Sequence, residues 1–144
     1  MSIKRICVID GQGGGIGSAG IKKIKNTFHE HFEIIALGTN AIATAQMLKA
    51  RANRGASGEN AIIRTVRHVD VIIGPLGIII AHAMMGEVTQ GIAEAVALSP
   101  AEKLLIPLSQ ENIELAGITA MPLPHILEAL VEEHLYKIYK NEEK

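Results

Sequence analysis

Five glycines fall among the seven residues 11–17, after a short apolar run and before a lysine-rich helical pattern. A backbone without side chains lets amide groups approach a phosphate closely and adopt positive φ. The N-terminus of the following helix adds a partial positive charge at the same place. The loop therefore predicts a site for an anion, such as the phosphates of a nucleotide. Its candidate residues are Gly11, Gln12, Gly13, Gly14, Gly15, Ile16 and Gly17.

Asp10 stands immediately before this loop, at the end of the first predicted strand. Its carboxylate can hold Mg²⁺ against phosphates or orient a substrate hydroxyl. As a turn residue it would instead accept hydrogen bonds from loop amides. His82 is expected near the same edge of the sheet, either as an acid–base group or as a histidine packed on an apolar helix. Asp10 and His82 are the candidate catalytic residues, but the sequence does not supply a nucleophile, base and orienting group together. No metal site is predicted.

Two further glycine-containing segments, residues 38–40 and 74–77, also follow predicted strands. The carboxyl ends of parallel strands lie along one edge of a sheet, so these segments should meet the glycine loop there. The first would then lie near the sugar of a ligand, and the second would line its pocket. This convergence supports a ligand site more than any one motif does. The residues assigned to it are Thr39, Asn40, Gly74 and Pro75.

Short β-branched runs alternate with helical patterns along the chain. Predicted strands cover residues 3–9, 32–37, 69–73, 102–109 and 113–119, and predicted helices cover residues 16–28, 41–53, 57–67, 78–99 and 124 onward. Residues 54–60 are interpreted as a loop. The loop is either a mobile flap that closes over a phosphate through Arg54, or a segment in which Arg54 is an ordinary surface arginine. Ser57 is predicted to cap the helix that follows.

This alternation predicts one α/β domain over residues 1–144. Strands joined by helices form a mainly parallel sheet with helices on both faces, so we expect a three-layer Rossmann-like or flavodoxin-like arrangement of about five strands. The order of the strands does not follow from the pattern.

The predicted helix over residues 78–99 contains only three ionisable side chains, His82, Glu87 and Glu94. Such a helix has too little polar surface to face water all round. It is expected either to be central in the fold or to be covered by a second subunit. The sequence thus favours a homodimer or a larger homo-oligomer.

Composition excludes several classes of protein. Fourteen Lys and Arg against fifteen Asp and Glu leave no basic field for nucleic acid. Cys7 is the only cysteine, which rules out a disulfide framework and favours the cytoplasm. No signal peptide is apparent. The apolar stretch over residues 69–86 is interrupted by Asp70 and by residues 74–77, so we do not expect a membrane span.

The glycine loop resembles the G-x-x-x-G-I-G loop of short-chain dehydrogenases, and residues 15–20 also satisfy G-x-G-x-x-G. The resemblance implies a nicotinamide dinucleotide. The acid that would hold a ribose hydroxyl at the end of the second strand is replaced by residues 38–40. Tyr136 and Lys140 match the Y-x-x-x-K pair of that family only formally, because they lie at the end of the last predicted helix. We interpret them as solvated.

The whole chain resembles a family of short bacterial proteins catalogued as a domain of unknown function. The resemblance lies in D-G-Q-G-G-G-I-G at residues 10–17, G-T-N at 38–40 and G-P-L-G at 74–77, and it covers essentially the full length. It implies one coherent domain, and it adds no mechanism because the family carries no assigned activity.

The first functional hypothesis is a cytoplasmic nucleotide- or dinucleotide-binding protein, a sensor or an accessory subunit, with NAD(P) or another nucleotide as ligand. The second is an enzyme acting on a small phosphorylated or carboxylated metabolite. The third is a structural oligomer without a ligand.

Overall fold

A computed structural model describes residues 3–108 and 111–142 of the chain. The strands are β1 (Arg5–Asp10), β2 (Glu33–Gly38), β3 (Arg54–Ser57), β4 (Val71–Pro75) and β5 (Glu102–Ile106). The α-helices are α1 (Gly15–Phe28), α2 (Ala41–Lys49), α3 (Glu59–Thr65), α4 (Gln90–Leu98), α5 (Leu123–Ala129) and α6 (Tyr136–Glu142). A π-helical segment, Leu130–Leu135, joins α5 to α6, and 3₁₀ turns cover Val66–His68 and Leu76–Ile79.

The sheet is parallel throughout, and its order is β3-β2-β1-β4-β5. Ile6 of the central strand β1 lies opposite Ile34 of β2 on one side and Val71 of β4 on the other. The chain adds strands outward from β1 to β3 and then, starting with β4, in the opposite direction. This is the order of the first five strands of a Rossmann fold, and the expected five-stranded α/β architecture is confirmed.

The two faces of the sheet carry separate halves of the core. Alternate residues of β1 point to opposite faces, so Ile6 and Val8 join one apolar cluster while Cys7 and Ile9 join the other. The first cluster is completed by α1 and α5, and the second by α3 and α4. Helices therefore cover both faces. Burial raises the pKa of the Cys7 thiol, which makes it a neutral core residue.

The expected loop over residues 54–60 is wrong, because Arg54–Ser57 forms the edge strand β3. The tetrapeptide has no apolar alternation, and all four residues are exposed. Pairing with β2, rather than burial of its own side chains, makes it a strand. Arg54 is therefore a surface arginine of a paired strand rather than part of a mobile flap, and its guanidinium pairs with Glu33 at 2.5 Å. Gly58, at φ 98°, holds the cap position of α3 in place of Ser57.

The single helix expected over residues 78–99 is also wrong. The chain leaves β4 through a 3₁₀ turn and a series of turns, and α4 begins only at Gln90. Gly86, at φ 90°, is incompatible with an α-helix. Thr89 starts α4 by accepting a hydrogen bond from the Ile92 amide at 3.1 Å.

Residues 113–119 do not form the expected strand. They follow an irregular path in which Ile113, Leu115 and Ile118 are exposed, and β5 is left at the edge of the sheet. The strand predicted over 102–109 ends at Ile106, before Pro107, and Ser109 lies outside the described residues. Over the described part of the chain, no helix has the length and apolar character needed to cross a membrane.

Candidate functional site

A crevice opens where the order of strands reverses, between the ends of β1 and β4. A cavity of about 270 Å³ occupies it, with the glycine loop on one wall and the β4 exit on the other. Asn40, at the exit of β2, joins the same region by donating from Nδ2 to the Gln12 carbonyl at 3.0 Å. The three strand exits therefore converge. The cavity is lined by Asp10, Gly11, Gln12, Ile16, Pro75, Gly77, Met84, Leu108 and Glu111.

Asp10 holds the glycine loop in shape. Its Oδ1 accepts from the Gly11 amide at 2.8 Å and its Oδ2 from the Gly17 amide at 2.7 Å. Burial raises the pKa of Asp10, and these amide hydrogen bonds oppose that rise. The carboxylate thus has the contacts of a turn residue, and the amides of Gly11 and Gly17 already have an acceptor inside the protein.

The five glycines of the loop fall into two groups. A Cβ atom at Gly11 or Gly17 would come within 2.6 Å of a methionine sulfur, and Gly14, at φ 72°, lies against the Ala43 carbonyl. These three are required by the packing of the protein itself. At Gly13 and Gly15 an added Cβ would meet nothing within 4 Å. Both are exposed, so an incoming group can reach the backbone there.

Thr39 and Asn40 are both engaged in hydrogen bonds. The Asn40 Oδ1 caps α2 by accepting from the Ala43 amide at 2.9 Å. Its Nδ2 and the Thr39 hydroxyl both donate to Glu87, at 2.8 and 2.6 Å. These two residues lie at the end of β2, where the sugar of a ligand was expected.

Glu87 is the site residue that the sequence reasoning missed. A single oxygen, Oε1, accepts hydrogen bonds from the Gln12 amide, the Thr39 hydroxyl and the Asn40 amide group. Burial by itself would raise the pKa of Glu87, but these donors outweigh burial and hold it below its usual value. Seventy-five residues separate Glu87 from Gln12. The one signal for it in the sequence is that Glu87 is among the few ionisable residues of the apolar stretch 78–99.

Glu87 belongs to a strained segment, residues 80–88, which we call the cover segment. His82, Met84 and Met85 have φ values of 70°, 58° and 57°, a conformation that non-glycine residues seldom adopt. Met84 lies over Gly11 and donates its amide to Glu111 at 2.9 Å. Such strain persists only where surrounding contacts enforce it, and it is common at ligand sites.

Two predicted residues are placed differently from the expectation. His82 lies in an exposed turn rather than one turn into a helix, and it does not line the cavity with Asp10. Gly74 is buried in β4, where an added Cβ would come within 2.5 Å of the Ile9 carbonyl, so it serves strand packing. Pro75, the next residue, does line the cavity.

The charge around the crevice is negative. Asp10 and Glu111 line the cavity, Glu87 lies beside it, and its described lining includes no lysine or arginine. Positive potential comes from backbone amides and from the N-terminus of α1. Within the described ranges, no three His, Cys, Asp or Glu side chains are grouped so that they could hold a metal ion.

A second, larger cavity of about 640 Å³ lies between β5, α5 and residues 113–121. Apolar side chains such as Leu104, Leu115 and Ile126 dominate its wall. None of the residues predicted for the ligand site reaches it, so the crevice between β1 and β4 remains the candidate site.

Comparison with known proteins is informative only at the level of the family. No curated protein and no solved structure matches the chain. The model of a family described as a domain of unknown function, DUF3842, matches residues 5–139, and the chain therefore belongs to that family.

Proposed function

We propose that this protein binds a nucleotide in the crevice between β1 and β4, with a dinucleotide as the ligand that suits the site best. The observation that carries the proposal is the exposed backbone at Gly13 and Gly15, at the point where the strand order reverses. Ligands of open α/β sheets bind at such a reversal.

The phosphates would lie on the outer side of the loop. Asp10 and Glu87 accept from the inner amides, those of Gly11, Gly17 and Gln12, so the inner side is closed to an anion in this conformation. Gly13 and Gly15 leave the outer side unobstructed at the start of the 14-residue helix α1. The amides and the positive end of the helix then face the phosphates.

The rest of the ligand would extend to both sides of the phosphates. Towards β4 lies the 270 Å³ cavity, which is close to the lower size limit of small-molecule pockets and suits one ring. Towards β2 lie Thr39, Asn40 and Glu87, which suit the hydroxyls of a sugar. A molecule with a group at each end and phosphates between them fits this arrangement.

A binding role, as a sensor or accessory subunit, accounts for Asp10 better than catalysis does, because both carboxylate oxygens are used to hold the loop. An enzyme acting on a small phosphorylated or carboxylated metabolite is the second candidate. One observation favours it: Asp10 lines the cavity, and burial raises its pKa towards the range of a general acid.

We also propose a cytoplasmic location and a small-molecule ligand rather than nucleic acid or a membrane. The single cysteine, Cys7, is a buried free thiol, which supports the cytoplasmic location. The balance of acidic and basic residues supports a small-molecule ligand over nucleic acid. A homo-oligomer is proposed as well. Residues 78–99 do not form the continuous apolar helix from which the sequence predicted it. Two exposed apolar side chains support it instead, Leu98 on α4 and Ile42 on α2, which are 75% and 67% exposed.

Thermal-shift titration with NAD(H), NADP(H), ATP, GDP, FMN and inorganic phosphate tests the proposal. A ligand at one hundred times its dissociation constant stabilises a protein by about 2.7 kcal/mol. We expect such a shift with one of the nucleotides. The Gly15→Val variant should fold normally, because its side chain enters open space, and should lose the shift.

Gly20→Ala is the matched control. Gly20 is in the same helix, and its added Cβ would meet Leu127 at 3.8 Å, an ordinary contact. This variant should keep the ligand-induced shift. If the wild-type protein shows no shift with any nucleotide, the proposal is wrong and the ligand-free structural role gains support.

A further inference from the structure

Glu87 supplies a carboxylate at the end of β2, where the sequence has none. Its Oε1 receives three donors, the Gln12 amide at 2.8 Å, the Thr39 hydroxyl at 2.6 Å and the Asn40 Nδ2 at 2.8 Å. Thr39 and Asn40 directly follow β2, and Gln12 belongs to the glycine loop. Glu87 belongs to the cover segment, and groups that follow β1 and β2 therefore fix one of its two carboxylate oxygens.

The second oxygen of Glu87 has no such partners. In the part of the chain that the structure describes, every hydrogen bond to the Glu87 carboxylate falls on Oε1. Oε2 is thus the oxygen that can accept from a ligand. The three donors also keep the side chain ionised at neutral pH, since they hold its pKa below the usual value.

The chemistry of an ionised, fixed carboxylate favours one class of partner. It accepts strong hydrogen bonds from hydroxyl groups and repels a phosphate. No described lysine or arginine hydrogen-bonds Thr39, Asn40 or Glu87, so the repulsion would not be offset there. Glu87 binds the amide of Gln12, and the open backbone of Gly13 is next in the chain, so the ribose that Glu87 would hold is the one attached to the phosphates at the loop.

We propose that Glu87 accepts the hydroxyl groups of the ligand's ribose, so that the site prefers a nucleotide with a free 2′,3′-diol to one phosphorylated at the 2′ position. This inference rests on the proposed nucleotide-binding function and adds a specificity-determining residue to it. The alternative is that the Glu87 carboxylate occupies the position of a ligand anion in the ligand-free protein and must move away when the ligand binds. The two alternatives predict opposite effects when the charge is removed.

Titration calorimetry on the wild-type protein and on Glu87→Gln tests the inference. The probes are NAD⁺ and NADP⁺, ATP and 2′-deoxy-ATP, and GDP and 2′-deoxy-GDP. The glutamine keeps the size of the side chain and one oxygen for the three donors, so the fold should be preserved. Glu94→Gln, on the exposed face of α4, removes the same charge away from the site and is the matched control.

We expect the wild-type protein to bind NAD⁺ about 100-fold more tightly than NADP⁺, as repulsion of several kcal/mol implies. Glu87→Gln should weaken binding of the ribonucleotide by about tenfold, because the affected hydrogen bonds are to a charged acceptor. It should weaken binding of the 2′-deoxy form by a smaller factor, because only the 3′-hydroxyl remains to bind Glu87. The preference for NAD⁺ should shrink by a similar factor. Glu94→Gln should behave as the wild type does.

Three results would overturn the inference. Equal weakening of ribo- and deoxyribonucleotides by Glu87→Gln would show a role in the structure of the site only. Tighter binding of every probe would show that Glu87 stands in for an anion. In both cases the nucleotide-binding function would survive. If the wild-type protein binds none of the probes, the inference fails, and the proposed function fails with it unless another nucleotide binds.

Discussion

The glycine loop and the cover segment face each other across the crevice but differ in how much backbone strain they hold. Within the loop, Asp10 accepts hydrogen bonds from amides one and seven residues further along the chain, and Gln12 binds Glu87 and Asn40 from outside it. Gln12, at φ 50°, is the loop's one non-glycine residue at positive φ. The cover segment contains three non-glycine residues at positive φ, and its polar links to the rest of the site, through Glu87 and the Met84 amide, reach distant parts of the chain.

The two sides of the crevice therefore differ in backbone strain. The cover segment holds more of it, and hydrogen bonds within the segment, such as the one from the His82 amide to the Val88 carbonyl, together with those to distant residues enforce its conformation. The following predictions test that contrast, beginning with the largest effect.

Gly14→Val should destabilise the protein by about 3 kcal/mol, whereas Gly15→Val should change stability by less than about 0.5 kcal/mol. Gly14 has φ 72°, and its added Cβ would come within 2.8 Å of the Ala43 carbonyl, while the Cβ at Gly15 would meet nothing. Urea unfolding of both variants provides the measurement. Similar losses in the two would mean that Gly14 and Gly15 do not differ in packing and conformation as described.

Asp10→Asn should cost about 2 kcal/mol at neutral pH, because the amide group places a donor against a backbone N–H. The pH dependence should change as well. Burial raises the pKa of Asp10 above 3.8, so Asp10 stays protonated to a higher pH in the folded protein than in the unfolded chain. The free energy of unfolding therefore falls as the pH rises from 3.8 through the folded pKa. The variant should lack that fall.

Glu87→Gln should alter the pH dependence in the opposite sense. The pKa of Glu87 is lowered from 4.5, so its stabilisation is present above 4.5 and is lost as the pH falls through the folded pKa. Urea unfolding between about pH 3 and pH 6 gives the pH dependence of the free energy of unfolding for both variants. A slope that is unchanged in Glu87→Gln, or steeper in Asp10→Asn, would contradict the assignment of the two carboxylates.

Met85→Gly should stabilise the protein by about 0.5–1 kcal/mol, the smallest effect of the series. Met85 is 95% exposed at φ 57°, so glycine relieves strain there without loss of packing. Met85→Ala, which keeps the Cβ, is the control and should show no gain. If glycine destabilises as it would in an ordinary helix, the cover segment is not strained at this position.

The elements that were predicted correctly are those with a local cause. The apolar run of β1, the glycines and the amphipathic pattern of α1 lie within 24 consecutive residues, so their sequence predicts a strand, loop and helix. The same holds for β2, β4 and β5, whose apolar residues are buried or partly buried. Asp10 was interpreted from its position alone, and its turn role was one of two alternatives.

The elements that were missed depend on partners far away in the chain. β3 consists of four exposed residues and exists because β2 offers it an edge. The sequence pattern predicts Glu87 as one of the polar residues of a long helix, and only the turns after β4 bring it to Gln12 and Thr39. Hydrogen bonds between residues that are far apart in the chain produce no periodic pattern in the sequence, so the sequence does not reveal them.

By itself, the sequence determined the α/β class, the glycine loop and the three strand exits, because burial periodicity and backbone freedom are properties of short segments. The tertiary structure alone decided the strand order, and hence that the crevice lies between β1 and β4. It also decided which glycines are open, and that a carboxylate from the cover segment lies at the end of β2. These features arise from packing and hydrogen bonding between segments that are adjacent only after folding.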